Sequence, residues 1–454
     1  MRYAPPPRDP APTLELAEAA VRHALDAGAD EAEAVVLASD SALTRFANSE
    51  IHQNVAERSL EVRLRFIRDG RSGVVTADAT DDEGLRRLAG SAAGLTRLLE
   101  PQPDLPSLPD PTPLPEVTGA FAEATATASP AMRAEGARAV IAAADAAGVG
   151  SFGSFTTSVD WTAVVNSRGI RVAEARTRAH LVTVAMGPDE GTGYAESCAV
   201  DVGTIDAAAL GREAAATARA SARPVDIAPG DYPVVLAEYA VGDILDYLGY
   251  CGFSALAVQQ GRSFFEAGKR IGSPLVTIWD DALDPAGTPA SFDFEGVAKQ
   301  RVPLVVDGVC REIVHDAATA AAAGRRSTGH GLPAPNTWGP FPLNMVMRAG
   351  DASRDELIGG LERGLLVTRI WYSNPVHQKQ LIMTGMTRDG TFLVEGGRIV
   401  GPVRNLRFTH SYLDALAATS AVGRERRTIS GMLGTYVVPS IRADSFTFTG
   451  ATER

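Results

Sequence analysis

Read as a string of apolar and polar positions, the chain opens with helical spacing. Leu14, Ala17, Val21, Ala24 and Leu25 in TLELAEAAVRHALDA (13–27) recur every three or four residues and stop at Gly28, which predicts an amphipathic helix. The stretches EAVVL, ALTRFANSEIHQN and SLEVRLRFIRDGRSGVVTA then alternate with period two, as half-buried strands do, and Asp69-Gly70 marks a hairpin turn between the last two strands. FANSEIHQN (46–54) is polar for a strand and reads equally as a plain surface edge or as a binding segment. DDEGLRRLAGSAAGLTRLL returns to helical spacing and closes an α+β unit.

From 101 to 115, PQPDLPSLPDPTPLP places proline at nearly every second position, which removes amide donors and favours extended chain, a linker or a surface strap. An Ala-rich helix near 130–147, strands over 151–187 with a turn at Ser167-Arg168-Gly169, and a helix at 206–221 make a second unit, ended by RPVDIAPG (223–230). The rest opens with the strand YPVVLA and a helix at 239–250, then breaks into short strands. In TRDGTFLVEGGRIV (387–400), Asp389-Gly390 and Gly396-Gly397 read as turns around an apolar strand. The expected fold is therefore α+β: an N-terminal α/β unit (1–100), a Pro-rich linker (101–115), a central α+β unit (116–222), and a large antiparallel C-terminal domain (231–454), barrel-like or sandwich-like.

Size and charge narrow the function. A chain of 454 residues exceeds one ordinary core, and 45% hydrophobic with 22% charged residues is the make-up of a soluble globular protein. Lys+Arg number 43 against 55 Asp+Glu, a net charge of -12 that repels phosphate backbones and argues against nucleic acid as a partner. No stretch has the apolar length of a secretory core or a membrane span, so a cytoplasmic protein without membrane contact is expected. Cys198, Cys251 and Cys310 are too scattered for a disulfide framework or a thiolate zinc knuckle.

Few motifs carry chemistry. Gly148, Gly150 and Gly153 spell GxGxxG, but a helix precedes them and a strand follows, the reverse of a dinucleotide site, so a helix C-cap is expected instead. GxxxxGK[ST] and GxSxG are absent. The seven histidines (23, 52, 180, 315, 330, 377, 410) include no pair at the four-residue spacing that lets two imidazoles on a helix meet one ion. His330 lies in the Gly-rich stretch GRRSTGHGLP, where a solvated turn and a functional role are both open. In a helix that begins with EYAVGD (238–243), Tyr239, Asp243 and the following Asp246 share one face, and Glu238 sits where a carboxylate favours the helix N-terminus.

Taken in order, FANSEIHQN, PVVLAEYAVGDIL, GRRSTGHGLPAPN with NMVMRAGD, TGMTRDGTFLVEGGRIVGPVRNLRFTHSYLDAL and GMLGTYVVPSIRADSFTFTG resemble the TldD/PmbA family, once called modulators of DNA gyrase. The resemblance covers nearly the whole chain. Catalytic members of that family, the TldD type, carry HExxxH at the start of this helix and a cysteine near the C-terminus, with zinc between His, His and Cys and the glutamate as base. Here the first His position is Glu238, the Glu position is Tyr239 and the second His position is Asp243; the cysteine position falls within 428–433, in TISGML. The motif is thus degenerate, as in the PmbA or TldE branch, whose members resemble the non-catalytic half of a heterodimeric peptidase.

The resemblance implies a chain without a catalytic residue or metal of its own, paired with a TldD-like subunit that supplies zinc, and guiding unfolded peptides held by main-chain pairing at a strand edge. His330 and Asn336 are the candidate peptide-lining residues. Two alternatives stay open. One is an independent hydrolase using Glu238 and Asp243, although five residues on a regular helix turn through about 140°. The other is a homodimeric peptide-binding protein without catalysis.

Overall fold

A computed structural model describes residues 8–432 and 434–451. β1 (Glu31–Ala47), β2 (Glu50–Arg68), β3 (Arg71–Ala77), β4 (Gly150–Asn166), β5 (Arg171–Met186) and β6 (Thr192–Ala199) form one antiparallel sheet in the order β3-β2-β1-β4-β5-β6. Strands from before and after the Pro-rich stretch therefore share a sheet, joined where β1 pairs with β4. That stretch straps the sheet: Leu108 is buried, its N–H donates to Glu31, and Asn166 donates to the Pro109 carbonyl. The helices α1 (Ala11–Asp26), α2 (Asp82–Thr96), the short α3 (Glu123–Ala126), α4 (Pro130–Ala146) and α5 (Ala207–Ala220) cover one face through small apolar residues such as Ala17, Ala24, Ala137 and Ala214. Alternation sends Val35, Val164 and Ile170 to the other face, where Phe292 of the C-terminal body meets them.

That body begins with β7 (Gly230–Leu236) and α6 (Glu238–Cys251) and continues through β8 (Ile278–Asp280), β9 (Val302–Val306), β10 (Val309–Cys310), β11 (Met345–Met347), β12 (Arg363–His377), β13 (Ile382–Glu395), β14 (Arg398–Pro402), β15 (Leu406–Ser411), β16 (Thr419–Ser430) and β17 (Thr435–Ala451). β7, β12, β13, β15 and β17 pair in succession, and β17 pairs back to β7, so these strands close on themselves as a small barrel within an 11-stranded sheet. The mainly antiparallel, barrel-like domain expected from the sequence is what forms; β7–β12 and β11–β17 are its parallel pairs. α6 lays Ala240, Val241, Ile244, Leu245 and Leu248 into the core with Leu236, Val367 and Ile441.

Two stretches differ from their sequence reading. FANSEIHQN is a hairpin: Asn48 and Ser49, both at positive φ (50° and 59°), turn β1 into β2 without a glycine. Beyond it β2 is solvent-exposed over 52–59 and pairs with β3 only from Val62, so its outer edge is open there. Asp389-Gly390 is not a turn. It is a bulge inside β13 with positive φ at both residues, where buried Asp389 pairs with Arg369 at 2.7 Å. Asp69-Gly70 and Gly396-Gly397 do turn their hairpins. Gly148 ends α4 at positive φ and leads into β4, the helix cap expected in place of a nucleotide loop. Among the described residues no helix is long and apolar enough to cross a membrane; residues 1–7, part of the stretch read for a leader, lie outside them.

Candidate functional site: the start of α6 and the neighbouring cleft

The strand-to-helix junction places the three motif positions at the first turns of α6, and each is tied to a different part of the fold. Glu238 Oε1 accepts from the Ser440 hydroxyl on β17 at 2.7 Å. Tyr239 points to the N-terminal sheet: its hydroxyl accepts from the Glu196 N–H on β6 at 3.0 Å and from the Arg427 guanidinium on β16. Arg427 also pairs with Glu213 of α5 at 3.0 Å and stands 4.9 Å over the Tyr239 ring, which packs against Tyr194 edge-to-face at 5.0 Å. Burial holds the Tyr239 phenol proton well above its ordinary range, so the group is no base at neutral pH. Tyr239 is a structural rivet between the two bodies.

Asp243 turns the other way, into the core. Its Oδ2 accepts from Ser373 at 2.7 Å and from the Tyr412 hydroxyl, while Tyr247 donates to the Ser373 carbonyl. Burial raises the Asp243 pKa, and the hydroxyls of Tyr412 and Ser373 offset part of that rise. One turn on, Asp246 takes the Met432 N–H on both oxygens (3.0 and 3.1 Å) and the Tyr436 hydroxyl; burial carries its pKa up to about 6. It thereby pins the segment where the resemblance leads one to expect the cysteine position. In that segment Thr428 donates to the Ala286 carbonyl at 2.7 Å, Ile429 packs over Gly242, and Leu433 lies outside the described residues.

These donors do not fit zinc. The carboxylates of Glu238 and Asp243 are hard oxygen ligands already held by separate hydroxyls, and neither a thiolate nor an imidazole joins them. Among the described residues no three His, Cys, Asp or Glu side chains are placed to share a metal ion.

Beside the rivet runs a cleft of about 670 Å³, lined by Glu196, Cys198, Val200, Glu213, Ala286 and Arg427 among others. Its floor is the outer edge of β6, the last strand of its sheet. Glu196 directs its N–H and C=O outward, to Tyr239 and Arg427, and period-two geometry turns the backbone of Cys198 the same way, toward the cleft. At Cys198 an extended chain would find main-chain groups to pair with, whereas those of Glu196 and the Val200 carbonyl are already bonded to side chains.

The other candidates lie elsewhere. His330, expected to line a peptide path, is a core residue, 1% exposed: its Nε2 pairs with Asp280 at 2.8 Å and its Nδ1 with the Thr328 hydroxyl at 2.9 Å. Burial, with Lys299 nearby, lowers its pKa, whereas Asp280, which burial alone would raise, is held below the ordinary carboxylate value by the histidine that faces it. Asn336 organises a turn, donating to the Gly339 carbonyl and accepting from the Trp338 N–H, both at 2.9 Å. Neither joins the motif cluster. Arg427, Glu196, Ser373, Tyr412 and Ser440, which do, carried no signal in the sequence.

Three family models for the PmbA/TldA metallopeptidase match in order: domain 1 over residues 32–95, the central domain over 118–222 and the C-terminal domain over 229–450. The chain belongs to the PmbA/TldD metallopeptidase family. A metalloprotease TldD homolog of Buchnera aphidicola is 27% identical over 213 residues, 45% of this chain and 43% of that protein, and a metalloprotease of Methanothermobacter thermautotrophicus is 27% identical over 291 residues, 60% and 62%. This PmbA/TldD chain thus spans about half the length of the curated relatives it matches. The crystal structure of TldE from Thermococcus kodakarensis superposes with a TM-score of 0.88 at 21% identity, covering 96% of this chain and 100% of that one, a likeness of fold.

Proposed function

We propose that this chain is a non-catalytic, substrate-guiding subunit that pairs with a separately encoded TldD-like zinc peptidase, holding unfolded peptides in extended form for cleavage by the partner. The observation that carries the reading is the state of the three motif positions. Glu238, Tyr239 and Asp243 are each engaged in a separate structural hydrogen bond, beside a cleft floored by the outer edge of β6, where Cys198 turns its backbone groups outward. Pairing through main-chain groups tolerates any side chain, which suits unfolded substrates. Water activation needs a metal or a base of matched pKa, and neither is built from these residues, so both come from the partner. The rival use of Glu238 and Asp243 as one catalytic pair finds no support in side chains that point to different neighbours.

Cleavage of an unstructured peptide by this chain alone, by a TldD-like chain alone and by the two mixed tests the reading. Cleavage in the mixture that exceeds the sum of the separate rates is the expected result. Cleavage by this chain alone, lost in Glu238→Ala, would refute it.

A further inference from the structure

Next to the cleft, on the face of the N-terminal sheet turned away from the helices, lies a second cavity of about 280 Å³ between β4, β5 and the C-terminal body. Val200 lines both spaces. Its polar wall is lopsided in a way that charge counting hides. The carboxylates on it already have their donors. Glu174 Oε2 takes the N–H and hydroxyl of Ser291 at 3.0 and 2.7 Å, and Asp293 takes the N–H groups of Glu295, Val297 and Gly331 at 2.9, 2.9 and 2.7 Å. Asp160 takes the hydroxyls of Ser39 and Ser158 at 2.7 and 2.8 Å.

Of the cations on the same wall, Arg178 donates to Ser430 and Cys198, but Lys299 and Arg176 are not so matched. Lys299 is 5% exposed, and its Nζ, with three hydrogens to donate, has no hydrogen-bond partner among the described residues. Arg176 Nε has none either; it lies 3.3 Å from Glu174 Oε1 without the alignment of a hydrogen bond. Asp280 and Asp293 act on Lys299 through space without bonding to it, and burial lowers its pKa against their pull. Buried donors without acceptors are costly, and a buried ammonium most of all. The wall is complementary to an acceptor that brings negative charge and more than one oxygen.

We propose that this cavity is a carboxylate site, with Lys299 as its anchor and Arg176 as its second donor, and that it receives the free C-terminal carboxylate of a peptide whose preceding residues lie along the β6 edge. The volume suits a terminal residue rather than a folded segment. The carboxylate is argued from the unmatched donors; the peptide as its bearer rests on the function proposed above.

The test uses the full chain and an N-acetylated unstructured peptide in two forms, free acid and C-terminal amide, with binding measured by calorimetry for the wild type, Lys299→Met and Arg176→Gln. Thermal shifts with an N-acetyl amino acid and its amide run in parallel, and the melting temperature of each variant without ligand checks that it folds. The expected result is a preference for the acid of about tenfold or more, the worth of one charge-assisted hydrogen bond, in the wild type and its loss in Lys299→Met. Equal binding of acid and amide to the wild type overturns the carboxylate site and leaves the peptide cleft standing. If neither peptide binds but the N-acetyl amino acid, and not its amide, stabilises the wild type alone, the site stands and its bearer is a small free acid. If nothing binds, both readings fall.

Discussion

Replacing Tyr239 by phenylalanine removes one oxygen and leaves the ring, so it isolates what the hydroxyl does. That oxygen accepts from the Glu196 N–H at 3.0 Å and from Arg427, and its other polar neighbours, the Glu196 carbonyl and Glu213 Oε1, stand at a long 3.4 Å. Glu196 is only 5% exposed, so its N–H would lose its acceptor away from water. Arg427 would not be stranded, because its bond to Glu213 and its stacking on the ring survive. One unsatisfied buried amide together with one weakened charged bond amounts to a loss of about 2 kcal/mol. Denaturant unfolding, read as a change of midpoint at constant slope, measures it. Partner-dependent peptide cleavage measured on the same protein should change little. A variant as stable as the wild type but inactive in the mixture would refute the structural role and return the phenol to chemistry.

Further expectations concern the neighbours of the rivet. In Gly242→Ala the new methyl would stand 1.9 Å from Ile429 Cδ1, so the variant should lose about 1–3 kcal/mol by overpacking, and Ile429→Ala should restore part of that in the double mutant. Asp246, raised to about 6 by burial, binds a proton in the folded chain that the unfolded chain has already released; its contribution to stability therefore falls as pH rises from about 4 to 6, by up to about 3 kcal/mol, and Asp246→Asn should remove that slope from a pH series of denaturant midpoints. A slope unchanged in the variant would assign it to other buried acids. His330→Leu removes one hydrogen-bond donor from the buried Asp280 carboxylate, which keeps the Asn344 N–H at 2.7 Å, and should cost about 1–3 kcal/mol in thermal or denaturant unfolding; an unchanged stability would mean that the bond contributes little.

The sequence was legible where a local signal has one physical meaning. Helical spacing ending at Gly28, the Gly396-Gly397 turn and the strand-to-helix junction at Glu238 all needed only neighbours along the chain. It misled where the same dipeptide serves two geometries: Asp69-Gly70 turns a hairpin at the surface, whereas Asp389-Gly390 is held in a buried bulge by Arg369 from another strand. The Asn48-Ser49 turn went unread because no glycine marks it. Of the site, the six letters EYAVGD show two carboxylates and a phenol, but not the residues that bind them. Ser373 lies 130 positions from Asp243, Arg427 188 from Tyr239 and Ser440 202 from Glu238, and nothing in pattern or spacing links them. His330 fell to the opposite error: glycines around it suggested an exposed loop, and the fold buries that loop against Asp280.

The most direct test of the central claim is the metal content and peptidase activity of the purified chain by itself, prepared without chelator and with zinc supplied. The account predicts zinc well below one per chain and no cleavage of an unstructured peptide. One zinc per chain, together with cleavage that Glu238→Ala and Asp243→Ala abolish, would contradict it.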